Sequence, residues 1–74
     1  MEEYDVENKA VLVWQILSKR DRMSVRQIGE LTNYKESFLF IVLGWLLREN
    51  KISLIENRGV LHVQLNKVTP DIYY

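Results

Sequence analysis

Glu36-Ser37-Phe38-Leu39-Phe40-Ile41-Val42-Leu43-Gly44-Trp45-Leu46-Leu47-Arg48-Glu49-Asn50-Lys51-Ile52 is the stretch that decides the fold. Ten consecutive residues in it, Phe38 to Leu47, carry no polar side chain. That run is too short to cross a bilayer and long enough for a buried helix. Polar groups stand only at its ends: Glu36, Ser37, Arg48 and Glu49. With about 100° between neighbours on a helical wheel, Leu39, Val42, Leu43 and Leu46 share one face. Phe38, Ile41 and Trp45 make a second stripe, and Phe40 and Leu47 flank Gly44 on a third side. A helix apolar all round is expected to be buried all round, and a small three-helix chain can cover one or two of those faces. Mid-helix, Gly44 costs about 1 kcal/mol against alanine. Close approach of another helix or chain would account for it, and so would a lack of room inside the chain's own core.

Upstream, Asp5 suits the N-cap of a first helix running to about Ser18. Val6, Ala10, Val13, Trp14 and Leu17 form its buried stripe. Leu12 and Ile16 add a second apolar edge, so cover on more than one side is expected. Lys19-Arg20-Asp21-Arg22 is a polar turn whose positive charge suits the C-terminal end of the helix dipole. Met23 reads as a short extended step. Ser24-Val25-Arg26-Gln27 has the capping-box form that opens a second helix, with Val25, Ile28 and Leu31 turned inward. That helix stops near Thr32-Asn33, where Asn tolerates the left-handed conformation, and Tyr34 plugs the corner before the third helix.

Downstream, Asn50-Lys51 ends the third helix. Ile52 to Ile55 and Val60 to Leu65 are β-rich runs around Asn57-Arg58-Gly59, a hairpin signal. An even loop pairs Leu54 with Leu61 and Ile52 with Val63, which gathers four apolar side chains on one face. An odd loop pairs Leu54 with His62 and mixes the faces. The even loop is expected, because a one-residue slip exposes the apolar set. Residues 1–65 read as one domain and residues 66–74 as an extended C-terminal tail containing Pro70.

Seventy-four residues make a single domain with a marginal core. With no cysteine there is no disulfide and no thiolate metal site. His62 alone cannot build a metal centre. The first residues, Met1-Glu2-Glu3-Tyr4-Asp5, are acidic where a secretory signal would be basic, and a cytoplasmic protein is expected. Ten basic residues balance ten acidic ones. Glu2, Glu3, Asp5 and Glu7 stand at the N-terminus, so the remainder carries a modest basic surplus.

Helix, short capped helix, longer helix, then hairpin is the order of a winged helix: an α+β fold, mainly α, with three helices followed by a two-stranded β-hairpin wing. The chain also resembles a small bacterial and archaeal winged helix-turn-helix family of uncharacterised function. The resemblance covers roughly residues 6 to 65. It rests on Val13-Trp14 with Leu17, on Ser24-Val25, and above all on the run from Leu43 to Ile52 quoted above. Two positions depart from the pattern: Lys35 stands where a Ser or Asp cap is expected, and Phe38 where a polar residue is more usual. The resemblance implies the fold and brings no established ligand.

In a winged helix the third helix lies in the major groove, where Arg, Lys, Asn or Gln reads base edges. The DNA-facing candidates are Lys35 and Ser37 on that helix, Arg58 at the wing tip, and the basic patch of Arg20, Arg22 and Arg26 beside Lys19. Against strong sequence reading stand Glu36, Phe38 and Ile41. The candidates for a homodimer interface are Phe38, Ile41, Gly44, Trp45, Tyr73 and Tyr74. No nucleophile motif, phosphate loop or metal spacing occurs, so no enzyme, cofactor, metal or small-molecule ligand is expected. The expected role is a DNA-associated or transcription-regulatory module with weak, largely non-specific DNA contact. The alternative is a module for protein–protein contact or homodimerisation that does not bind DNA.

Overall fold

The computed structural model describes residues 5–66. Six elements follow one another: α1 (Val6–Arg20), β1 (Arg22–Ser24), α2 (Val25–Thr32), α3 (Glu36–Arg48), β2 (Ile52–Asn57) and β3 (Val60–Leu65). Tyr73, Tyr74 and the rest of the tail beyond Asn66 lie outside the described residues.

Local chemistry sets each boundary. The Asn8 backbone N–H donates to the Asp5 carboxylate at 3.2 Å, which caps α1. The helix runs two residues beyond Ser18, through Lys19 and Arg20, both good helix formers. Asp21 stops it at φ 73, with its N–H donating to the Leu17 carbonyl. The capping box at the start of α2 is complete. The Gln27 N–H donates to Ser24 Oγ at 3.1 Å, and the Ser24 N–H donates to Gln27 Oε1 at 3.0 Å. Asn33 ends α2 at φ 59, ψ 26, the left-handed region. At the end of α3, Asn50 also has positive φ, and the Asn50 and Lys51 N–H groups return to the Leu47 and Leu46 carbonyls. That pattern satisfies two orphan carbonyls. Ser24→Ala is expected to lower stability by about 1 kcal/mol, read as a fall in the urea midpoint. An unmoved midpoint would show that the capping box carries none of the stability of α2.

The three strands form one antiparallel sheet in the order β1-β3-β2. Met23 pairs with Val63, so the short extended step becomes a true edge strand. Leu54 also pairs with Val63, and Ile52 with Leu65. The loop is even, yet the partners stand two residues from the expected ones. The turn falls on Arg58-Gly59, with φ 55 and 79. Positive φ at both central residues is what a type I′ hairpin turn requires.

The core is a single cluster in which α1 and α3 pack against each other and against the sheet. Val13, Leu17, Ile28, Val42, Leu43, Leu46, Ile52 and Val63 are its most enclosed members. No polar side chain is buried among the described residues. The expected inner face of α3, Leu39-Val42-Leu43-Leu46, is buried throughout. Leu31 departs from expectation at 52% exposed. It lies on the last turn of a short helix, facing an open groove with Leu12, Ile16 and the stems of Lys19 and Arg20. Trp14, expected in the buried stripe of α1, is 39% exposed, and on the second edge Leu12 is exposed while Ile16 packs against the core. Asn66, assigned to the tail by the sequence reading, is tied into the fold. Its side chain accepts from Ser53 Oγ at 2.6 Å and donates to the Asn50 and Ile52 carbonyls.

Candidate functional site

The side of α3 turned away from the core is the surface that a winged helix presents to its ligand. Its N-terminal entry carries Lys35, Glu36 and Ser37, all exposed. Lys35 occupies the cap position in extended conformation and makes no side-chain cap bond. Along the middle of the helix, Phe40 is 44% exposed, Ile41 53% and Leu47 39%, around an exposed Gly44. Arg48 follows at the last turn.

The stripe read from the sequence as Phe38, Ile41 and Trp45 therefore divides. Phe38 packs against the core and meets the Tyr34 ring edge-on, with centroids 5.2 Å apart and planes at 71°. Trp45 is half-buried against the core beside Trp14, in a cleft whose rim includes Lys51. The Lys51 ammonium stands 5.9 Å from the centre of the Trp14 ring. Ile41 and Gly44 stay at the solvent face, and Phe40 and Leu47 join them. The wheel groups those two within about 60° of Gly44, but it does not show that theirs is the side left outside.

A lack of room does not explain Gly44. A Cβ built there meets none of the described residues within 4 Å. The cost of glycine in mid-helix, about 1 kcal/mol, is thus offset by no packing among the described residues.

The basic candidates are not gathered at one place. Arg58 sits on the hairpin turn, exposed, at φ 55. Arg22 pairs with Gln64, four residues down β3 from the turn-flanking Val60, or about 13 Å along the strand. Arg20 lies at the end of α1, at that same base of the sheet. Arg26 is exposed on α2, where its Nε lies 3.5 Å from the Glu30 carboxylate. An exposed i,i+4 pair of this kind holds the side chain only weakly.

The Tyr34 hydroxyl donates to the Lys9 carbonyl at 3.5 Å, linking the α2–α3 corner to α1. Burial pushes the Tyr34 phenol above its usual value of 10.0. The fold favours the neutral phenol, so this contribution is whole below pH 10 and is lost as pH rises through the raised value. His62 Nδ1 lies 3.2 Å from the Val60 carbonyl on β3, a local contact. Among the described residues no group of three His, Asp or Glu side chains could hold a metal ion. Nor is any described helix long and apolar enough to cross a membrane.

The chain matches, over residues 1–65, a family described as a winged helix-turn-helix domain (DUF2582). No curated protein matches it. Among solved structures it is similar to the solution NMR structure of protein BT2368 from Bacteroides thetaiotaomicron. The two are 26% identical and superpose with a TM-score of 0.74, over 88% of this chain and 79% of that one.

Proposed function

The chain belongs to the DUF2582 winged helix-turn-helix family, and from that premise we propose a DNA-associated regulatory module that touches the duplex at its phosphates and reads no sequence. One observation carries this reading: the middle of the outward face of α3 presents Phe40, Ile41, Gly44 and Leu47 where a base reader presents Arg, Lys, Asn or Gln, and Arg48 follows only in the last turn. What remains for DNA is charge at the two ends of the surface, Lys35 with Ser37 at the start of α3 and Arg58 on the wing. The patch of Arg20, Arg22 and Arg26 is a third, separate foothold. A net charge of zero supplies no long-range attraction. The contact is therefore weak, with Kd about 10⁻⁴ to 10⁻⁶ M. Nothing in the arrangement suggests chemistry on a substrate. The apolar middle of α3 is left for a protein.

Fluorescence anisotropy on two labelled duplexes of unrelated sequence tests this. Both are expected to bind alike. Each neutralised phosphate adds about 0.9 to the salt slope, so two or three of them imply a loss of about 10- to 40-fold between 50 and 200 mM salt. Lys35→Ala with Arg58→Ala is expected to flatten that slope. Absence of binding at 50 mM salt and high micromolar protein would overturn the DNA reading. The same apolar face favours the alternative, a module that contacts protein alone.

A further inference from the structure

Gly44 is exposed in the middle of α3, and neither its conformation nor its surroundings among the described residues call for a glycine: its φ is not positive and a Cβ would meet none of them within 4 Å. On the same side lie Phe40, Ile41, Leu47 and Arg48, with Ser37 one turn further out. We propose that this face is the contact surface of a second copy of the chain, the two α3 helices crossing antiparallel with Gly44 at the crossing point.

The inference rests on reading the face as a protein surface, and three features select a copy of this chain as the occupant. Glycine at a crossing lets two backbones approach closely. A twofold axis across the helices at Gly44 exchanges positions before it with positions after it. Phe40 then lies against Leu47 of the second copy, and Ile41 against the aliphatic stem of its Arg48. The same patch serves both sides, as an isologous interface demands. The helix dipoles choose the direction. An antiparallel pair opposes them and sets the Arg48 of one copy against the Ile41 of the other, whereas a parallel pair aligns them and sets Arg48 beside Arg48. A net charge of zero does not oppose self-association.

Sedimentation velocity of the full 74-residue chain between 10 and 100 µM is expected to show twice the 8.9 kDa chain mass. Gly44→Gln is the decisive variant. Its side chain clashes with none of the described residues of a single chain, so thermal stability at sub-micromolar concentration is expected to hold or rise. The dimer dissociation constant is expected to increase at least tenfold. Phe40→Glu, on an exposed position, is expected to do the same. A wild-type monomer at 100 µM overturns the proposal, whatever else covers the face, the chain's own last residues included. So does a dimer whose affinity neither variant moves. DNA anisotropy on the same samples separates the two readings. A monomer that still binds DNA removes only the self-pairing, and a dimer that binds none removes only the phosphate contact.

Discussion

Leu17→Ala is expected to lower the free energy of unfolding by about 2–5 kcal/mol, the range for emptying a leucine-sized space in a packed core. Leu17 is fully enclosed on α1 and belongs to the one cluster that joins the helices to the sheet. A chain of 74 residues has about 4–11 kcal/mol of stability in total. The substitution therefore removes a large share of it, and a substantial unfolded population is expected at room temperature. No disulfide is available to hold the remainder. Urea denaturation followed by tryptophan fluorescence measures it, since Trp14 and Trp45 both border the α1–α3 contact. A loss under about 1 kcal/mol would mean that the core closes over the gap, and that Leu17 is not its centre.

Val63→Asp is expected to be as severe, and to depend on pH. Val63 is fully enclosed and stands between Met23 and Leu54 in the central strand. No buried cation or polar side chain awaits a carboxylate there among the described residues. Burial favours its protonated form, so its folded-state pKa rises above the unfolded value of about 3.9. The variant is then most stable below about pH 4, where both states hold the proton. Above that, stability falls by up to about 1.4 kcal/mol per pH unit until the folded-state pKa is passed. Chemical denaturation at pH 4 and pH 7 checks this. A midpoint gap between variant and wild type that is equal at both values would show that the carboxylate escapes to solvent.

The parts of the fold that the sequence makes legible are those set by neighbours along the chain. Ser24 and Gln27 cap α2 because they are three residues apart, and Asn33 turns left-handed because its side chain tolerates it. The inner face of α3 follows from spacing alone. Hairpin parity is legible for the same reason, but register is not. Sliding the strands by two residues returns every side chain to its original face, so the apolar pattern cannot distinguish Leu54–Leu61 from Leu54–Val63. The turn at Arg58-Gly59 makes that choice.

The candidate surface is harder to read, because α3 is apolar on every side and the wheel gives no contrast. Which stripe stays outside depends on where α1, Tyr34 and the sheet come to rest. That tertiary placement takes Phe38 and Trp45 inward and leaves Phe40 and Leu47 out. Leu31 and Leu12 show the same limit, since a helical stripe is covered only if a partner element is long enough to reach it.

The sheet has a consequence for how the molecule comes into being. Its middle strand, β3, is made after both of the strands that flank it. While residues 60–65 are still inside the ribosome, β1 and β2 have nothing to pair with, and Met23 and Ile52 have no lid. A nascent chain can form three helices in sequence, but the core closes in one late event, after translation has passed Leu65. A product truncated within β3 therefore keeps the three helical segments and loses the strand that joins β1 to β2.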